Sequence, residues 1–163
     1  MTTALFIGRF QPFHLGHLHV IKEALKEADN VIIGIAYNNN ADKKENPFSV
    51  EEREEMINMT LHNDDISNFE VVDIEDCDDD EKWIQNVESK LKFDVVYMSD
   101  KNTFGEKWVE RCLKDKYTIR KIKTFKGIDA TIIREKIRNK ENWKSLVPRE
   151  VAHSVIKLMH LKE

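Results

Sequence analysis

The chain has 163 residues, 40% of them hydrophobic, and a formal net charge of −4 at neutral pH. This length suits one domain with a sizeable core, so we expect residues 1–163 to form a single domain. The negative charge argues against a nucleic-acid partner. No apolar run approaches the ~20 residues of a membrane span, and the first residues lack the charged start and cleavage site of a secretory signal. The sequence therefore predicts a cytoplasmic protein without a membrane anchor.

Five segments have the composition of β-strands. Two of them, LFI at residues 5–7 and VIIGIA at residues 31–36, are continuous apolar runs, which is typical of parallel strands covered on both faces. In chain order, the predicted strands are Ala4–Ile7, Val31–Ala36, Phe69–Ile74, Val95–Met98 and Tyr117–Ile122.

Helical segments, marked by apolar residues at steps of three and four or by a capping box, alternate with these strands. The residues that indicate them are, in chain order, Leu18, Ile21, Leu25 and Ala28; Ser49 and Glu52; Trp83 and Val87; Trp108 and Cys112; Thr131 to Arg138; and Val151 and Val155. The alternation predicts an α/β fold: a Rossmann-like, doubly wound, parallel five-stranded sheet with a C-terminal helical segment.

The most informative segment is LFIGRFQPFHLGH at residues 5–17. The first strand ends at Gly8, and Arg9, His14 and His17 follow at the mouth of a helix. Helical spacing puts the two imidazoles one turn apart on one face, and a helix N-terminus offers free N–H groups. We expect a polyphosphate site here, at a strand end where such sheets bind ligands. A metal site is not predicted, because no nearby Cys, Asp or Glu completes the three or four ligands that it needs.

Two motifs resemble the signatures of the nucleotidylyltransferases. The first, GxFxPxHxGH, is matched by Gly8, Phe10, Pro12, His14, Gly16 and His17. The second, commonly written ISGTxIR, resembles IDATIIR at residues 128–134, where Thr131 and Arg134 match. Asp129 stands where Ser is usual; we expect it to cap the following helix and to turn away from phosphates. An arginine fork in this position suits phosphate oxygens.

Three further segments narrow the resemblance: ENPFSVEERE, CDDDEKWIQNVES and NKENWKSLVPREV. They are similar to archaeal-type nicotinamide-nucleotide adenylyltransferases, and the similarity extends from about residue 3 to residue 158. The resemblance implies transfer of AMP from ATP to nicotinamide mononucleotide (NMN), giving NAD and pyrophosphate. It also implies Mg²⁺ bound mainly through the substrate phosphates, and assembly into a homo-oligomer.

The resemblance assigns roles to individual residues. His17 is expected at the α-phosphate with His14 beside it, while Arg9 and Arg134 meet the β- and γ-phosphates. The implied ATP-binding residues are Gly8, Arg9, Phe10, His14, His17, Asp100, Asp129, Thr131 and Arg134. The implied acceptor-binding residues are Tyr37, Asn38, Asp80 and Trp83. For Trp83 two interpretations stay open, because its neighbours form a core stripe and its family position favours stacking on the nicotinamide.

The chain departs from the family pattern mainly at positions that read the substrate. Glu45 replaces an arginine, for which Lys43 or Lys44 could substitute, Asp80 replaces an asparagine, and Ser99-Asp100 replaces Gly-Asn. An unpaired Asp80 carboxylate is expected to repel the deamidated acceptor, nicotinic acid mononucleotide. The departures leave two alternatives: another phosphorylated acceptor, such as FMN, phosphopantetheine or a small phospho-alcohol, or a non-catalytic nucleotide sensor. The acidic run is interpreted as a solvated helix start rather than as a metal site; it consists of Asp76, Asp78, Asp79 and Asp80.

Overall fold

The computed structural model describes residues 1–162, and its centre is a parallel five-stranded sheet. The strands are β1 (Thr3–Gly8), β2 (Asn30–Tyr37), β3 (Phe69–Glu75), β4 (Val95–Ser99) and β5 (Thr118–Ile122). Their order across the sheet is β3-β2-β1-β4-β5, and every neighbouring pair is parallel. The predicted strands are confirmed to within one residue at each end.

Helices connect the strands and confirm the predicted α/β alternation. They are α1 (Leu15–Glu27), α2 (Val50–Asn63), α3 (Asp80–Lys90), α4 (Phe104–Leu113), α5 (Ala130–Arg138) and α6 (Arg149–Leu158), with a short 3₁₀ turn at Lys144–Leu146. Ser49 and Glu52 form the expected capping box of α2. Asp79 caps α3 by accepting from the backbone N–H groups of Glu81 and Lys82, so the acidic run does mark a helix start.

Two hydrophobic clusters cover the two faces of the sheet. Because side chains alternate along a strand, Ala4 and Phe6 of β1 enter one cluster, whereas Leu5 and Ile7 enter the other. Helices α1, α2, α5 and α6 pack on the first face, and α3 and α4 pack on the second. Burial on both faces explains why β1 and β2 are continuous apolar runs.

The position of β1 in the sheet determines where a ligand can bind. β1 pairs with β2 on one side and with β4 on the other, so the strand order reverses direction at its carboxyl end. Loops diverge at such a switch point and leave a crevice. Gly8, where β1 ends, therefore delivers the histidine motif directly to this crevice. Within residues 1–162, no helix is long and apolar enough to cross a membrane.

Candidate active site

His14 and His17 begin helix α1 by capping each other. The Nδ1 atom of His14 accepts hydrogen bonds from the backbone N–H groups of Gly16, at 3.0 Å, and His17, at 3.3 Å. In return, the backbone N–H of His14 donates to Nδ1 of His17 at 3.1 Å. This is the geometry of a capping box, with imidazoles in place of the usual hydroxyl and carboxylate.

The reciprocal cap fixes the tautomer of both rings. An Nδ1 atom that accepts a hydrogen bond carries no proton, so a neutral imidazole in this position carries its proton on Nε2. Among the described residues, the one buried side-chain nitrogen or oxygen without a partner is Nε of Arg134. The hydrogen bonds of the two rings within residues 1–162 all involve Nδ1, so both Nε2–H groups are without a protein partner and are not fully buried. They form a matched pair of outward hydrogen-bond donors.

The surroundings keep both imidazoles neutral. The His14 and His17 rings stack with centroids 3.5 Å apart, and the rings of Phe10 and Phe13 lie 4.7 and 5.6 Å from that of His17. Burial, reinforced by the charge of Lys101, lowers the pKa of His14 to about 3. Burial and then the neighbouring His14 lower the pKa of His17 well below its usual value. At neutral pH the pair presents donors without positive charge.

Two glycines of the motif make room for these rings. A Cβ atom on Gly16 would lie 2.9 Å from Cε1 of the His14 ring, and one on Gly8 would lie 2.9 Å from the Phe10 ring. Both distances are closer than non-bonded carbon atoms tolerate. The spacing of Gly8 and Gly16 in the motif is therefore set by the packing of the aromatic rings.

Arg9 extends from the end of β1 and is partly exposed. Its guanidinium pairs with the carboxylate of Asp76, just after β3, at 2.6 Å. Its side chain is 44% exposed, so it can turn toward a ligand in the crevice without leaving a buried charge behind. Asp76, which the sequence placed in a solvated acidic run, is instead a partner of a candidate phosphate-binding residue.

Arg53 holds the strand ends together from below and was not assigned a role from the sequence. Its Nη1 donates to the carbonyl oxygens of Arg9, at 2.7 Å, and Ala36, at 2.9 Å, and its Nε donates to that of Ser49 at 3.1 Å. Arg53 is 4% exposed, and burial and the charge of Arg9 lower its pKa to about 10. It stays protonated at neutral pH and adds positive charge beneath the crevice.

A signal for Arg53 is present in the sequence. It lies three, four and seven residues before Met56, Ile57 and Thr60, which are all buried on the inner face of α2. A charged residue at the head of a buried helical stripe needs internal partners. That position distinguishes it from the exposed acidic residues around it.

Gln11 connects the motif loop to the segment before α2. Its side-chain amide donates to the carbonyl oxygen of Phe48 and accepts from the backbone N–H of the same residue, both at 3.0 Å. Gln11 is 2% exposed, and these two bonds provide its buried amide with partners for one N–H group and for the oxygen. They hold the NPF segment against the histidine loop.

Arg134 projects from α5 into the same loop. Its Nη1 donates to the carbonyl oxygen of Gln11 at 2.8 Å, and its Nη2 donates to Glu45 at 2.7 Å and to the hydroxyl of Thr131 at 3.3 Å. Asp129 caps α5 by accepting from the backbone N–H of Ile132 at 2.8 Å, as expected. The second motif therefore lies beside the first, although 123 positions separate Arg134 from Gln11.

The loops after β4 and β5 complete the other side of the crevice. The carboxylate of Asp100 accepts from the backbone N–H and the hydroxyl of Thr124, at 3.2 and 3.3 Å. The ammonium of Lys101 donates to the carbonyl oxygen of Phe125 at 2.6 Å. Lys101 was not singled out from the sequence, yet its charge reaches His14.

The residues expected to bind the acceptor lie partly at the end of β2 and partly in the hydrophobic core. Tyr37 ends β2, and the side chain of Asn38 accepts from the backbone N–H of Asn40 at 2.9 Å. Trp83 is 4% exposed and meets Trp108 edge to face, with ring centroids 6.5 Å apart. Trp83 thus belongs to the core of the second sheet face, and its stacking on an acceptor stays a prediction.

One expectation for Asp80 is wrong. The carboxylate is not unpaired, because Arg111 donates two hydrogen bonds of 3.0 Å each to it. The guanidinium of Arg111 also lies over the Trp108 ring, 4.6 Å from its centroid. A bidentate partner neutralises the carboxylate, and it lowers the pKa of Asp80. Nothing in the local sequence indicated this partner, which lies 31 residues away.

The described chain also has recesses away from the histidine motif. A recess of about 440 Å³ lies at the opposite end of the strands, where β1, β4 and β5 begin, and contains none of the motif residues. Residues 1–162 contain no group of three or more His, Cys, Asp or Glu side chains arranged to hold a metal ion.

A capped histidine pair flanked by arginines, at the switch point of a 3-2-1-4-5 parallel sheet, defines the nucleotidylyltransferase class. Residues 5–154 match the family model described as cytidylyltransferase-like. The chain belongs to the cytidylyltransferase-like family and, within it, to the family of nicotinamide-nucleotide adenylyltransferases. The predicted family, fold class and enzyme type are confirmed.

Relatives with established names support this assignment. The nicotinamide-nucleotide adenylyltransferase of Thermoplasma volcanium is 38% identical over 93% of this chain and 84% of its own length. That of Methanococcus maripaludis is 38% identical over 91% and 85%, respectively. Among solved structures, a bifunctional NMN adenylyltransferase/ADP ribose pyrophosphatase from Francisella tularensis, complexed with AMP and a Mn ion, superimposes with a TM-score of 0.75 at 28% identity. The match covers 90% of this chain and 44% of the Francisella protein.

Proposed function

We propose that this protein transfers AMP from ATP to NMN and forms NAD and pyrophosphate. The observation that carries the proposal is the reciprocal His14–His17 cap, which leaves two neutral Nε2–H donors at the switch point. Relatives named for this activity, 34–38% identical over most of the chain, support NMN as the acceptor. In the reaction an oxygen of the NMN phosphate bonds to the α-phosphorus of ATP, and the bond to the β-phosphate oxygen breaks.

The residues perform this reaction by positioning and by stabilising charge. The attacking phosphate is already an anion, so no base is needed to activate it. His17 donates from Nε2 to an α-phosphate oxygen as charge develops there, and His14 donates beside it. Two backbone N–H groups polarise the His14 ring through Nδ1, which strengthens its donor on the opposite side.

The positive charges around this pair bind the leaving group. Arg9 and Arg134 are proposed to hold the β- and γ-phosphates, with Thr131 beside them. The buried charge of Arg53 adds to the same field, because its own hydrogen-bond partners are neutral carbonyls. Asp100 is proposed to lie at the nucleoside end. Tyr37, Asn38, Asp80 and Trp83 are proposed to contact the acceptor.

Mg²⁺ is proposed to enter with the nucleotide as its ATP complex. The donor set fits this arrangement, since the described residues form no ligand cluster and Mg²⁺ bound to nucleotides keeps phosphate and water ligands. Bound Mg²⁺ supplies neutralisation of the phosphate charge.

The decisive experiment measures pyrophosphate release and dinucleotide formation with NMN, ATP and Mg²⁺. Parallel reactions replace NMN with FMN, phosphopantetheine or a small phospho-alcohol, and ATP with other nucleoside triphosphates. We expect NAD from NMN and ATP. Turnover with another acceptor and none with NMN would contradict the acceptor, whereas nucleotide binding without pyrophosphate release would favour a sensor. Homo-oligomeric assembly, a single domain and a cytoplasmic location stay predictions, and light scattering tests the first.

A further inference from the structure

The guanidinium of Arg134 is already occupied by a carboxylate of the same chain. Glu45 accepts from its Nη2 at 2.7 Å, and the second carboxylate oxygen lies 3.8 Å from the guanidinium of Arg138. Glu45 therefore stands where the proposed function needs phosphate oxygens.

The occupation is incomplete. Among the described residues, Nε of Arg134 is the one buried side-chain nitrogen or oxygen that has no hydrogen-bond partner. Water does not readily replace that partner, because the Arg134 side chain is only 11% exposed. A guanidinium offers five donors in a planar fork, and an unmet buried charged donor is costly. A ligand with more oxygens than one carboxylate can satisfy this fork better than Glu45 does.

The segment that carries Glu45 is held to the rest of the protein mainly through this residue. Within residues 1–162, the hydrogen bonds of residues 38–46 stay inside the segment, apart from that of Glu45 with Arg134. The anchor formed by Gln11 and Phe48 begins after it. Glu45 can therefore leave while that anchor stays in place.

Arg9 provides the contrast. It is also paired with a carboxylate, at 2.6 Å, but its side chain is 44% exposed. Arg9 can turn to a ligand from solvent, whereas the buried fork of Arg134 becomes available to an anion only when Glu45 withdraws.

We propose that Glu45 is a specificity-determining residue that competes with the ligand for Arg134. A polyphosphate must displace Glu45 to bind Arg134, whereas the single phosphate of a nucleoside monophosphate does not extend to this pair. This rests on the proposed function, in which Arg134 binds the β- and γ-phosphates. The arrangement admits ligands with enough charge to replace a carboxylate and leaves AMP binding unaffected.

The test compares binding of ATP and AMP by calorimetry to the wild-type protein, Glu45→Gln, Glu45→Ala and a matched control, Glu141→Gln. Glu141 lies just beyond the end of α5 and pairs with Lys136 of that helix at 3.6 Å, so its variant removes the same charge away from Arg134. Both Glu45 variants are expected to lower the Kd for ATP about 5-fold, the upper range for a half-exposed ion pair. The Kd for AMP, and both values in the control, are expected to stay unchanged.

Unchanged or weaker ATP binding in both Glu45 variants, or an equal gain for AMP, would overturn the proposal. Arg134→Ala separates it from the proposed function. If this variant binds ATP as tightly as the wild type while NAD is still formed, Glu45 is not a competitor and the activity stands. If the wild-type protein forms no NAD but Glu45→Gln still tightens ATP binding, the activity fails and the competitor stands.

Discussion

The backbone N–H of His14 donates to the ring of His17, while the ring of His14 accepts from the backbone N–H of His17. Each histidine thus orients the other, and both rings present Nε2–H to the crevice. The chemistry assigned to the pair depends on this exchange.

Replacing His17 by alanine should lower kcat by about 10²-fold or more with little change in ATP affinity, because it removes a donor to charge that develops in the transition state. Steady-state kinetics and a direct ATP titration measure the two effects. His19→Ala is the control, since His19 lies on the same helix but faces Phe125. An effect confined to KM would assign His17 to ground-state binding.

The pH dependence of stability should report the buried histidines. The pKa of His14 is lowered to about 3 from 6.5, so between these values the unfolded chain binds a proton that the folded chain excludes. The free energy of unfolding should therefore fall as the pH decreases from 6.5 toward 3, by up to about 1.4 kcal/mol per pH unit for each such group.

Denaturant titrations at several pH values measure this slope, and His14→Asn should reduce it. The same shifts predict no loss of kcat from histidine protonation between pH 6.5 and 8. If kcat instead changed with the titration of a group near pH 6.5, and if this pH dependence were absent in His17→Ala, His17 would not be a neutral donor.

Replacing Arg134 by lysine should raise the KM for ATP on the order of tenfold, because a lysine cannot bind two oxygens in a planar fork. Arg138→Lys is the matched control, since Arg138 lies one turn further along α5 and makes only a 3.8 Å contact with Glu45. Wild-type kinetics in Arg134→Lys would show that the second motif does not bind phosphate.

Replacing Arg53 by methionine should lower the free energy of unfolding by about 3 kcal/mol, the usual loss when a buried ionic hydrogen-bonded group is removed. The carbonyls of Arg9, Ala36 and Ser49 lose their donor. Urea denaturation measures the change, with Arg120→Met on the exposed edge strand as the control. Equal stability of the two variants would mean that water replaces the guanidinium.

The preference between NMN and its deamidated form should depend on Arg111 more than on Asp80. Arg111 neutralises the carboxylate, so Asp80→Asn alone should change the ratio of kcat/KM values less than 3-fold. Arg111→Leu leaves the carboxylate unpaired and should increase discrimination against the deamidated acceptor several-fold. If Arg111→Leu leaves the ratio unchanged, Asp80 lies outside the acceptor pocket.

The strands, the helix starts and the histidine pair were predictable because each depends on residues close in sequence. Apolar runs identify strands buried on both faces, and the mutual cap of His14 and His17 spans one turn. The distant partners of Arg53, Asp80 and Arg134 were not predictable, because these contacts join residues 17 to 123 positions apart. Periodicity records which face of an element is buried, and it contains no information on which distant polar group will meet that face.

The site contains one part held by contacts between neighbouring residues, the histidine cap, and another held by contacts between residues far apart in the sequence. The orientation of the two donors is encoded within residues 14–17, whereas the grip on the phosphates is assembled from the two ends of the sequence. Conditions that loosen tertiary packing without melting α1 should therefore first cost the enzyme its hold on the nucleotide. The first turn of the helix would then still carry two correctly turned imidazoles, with no substrate held in front of them.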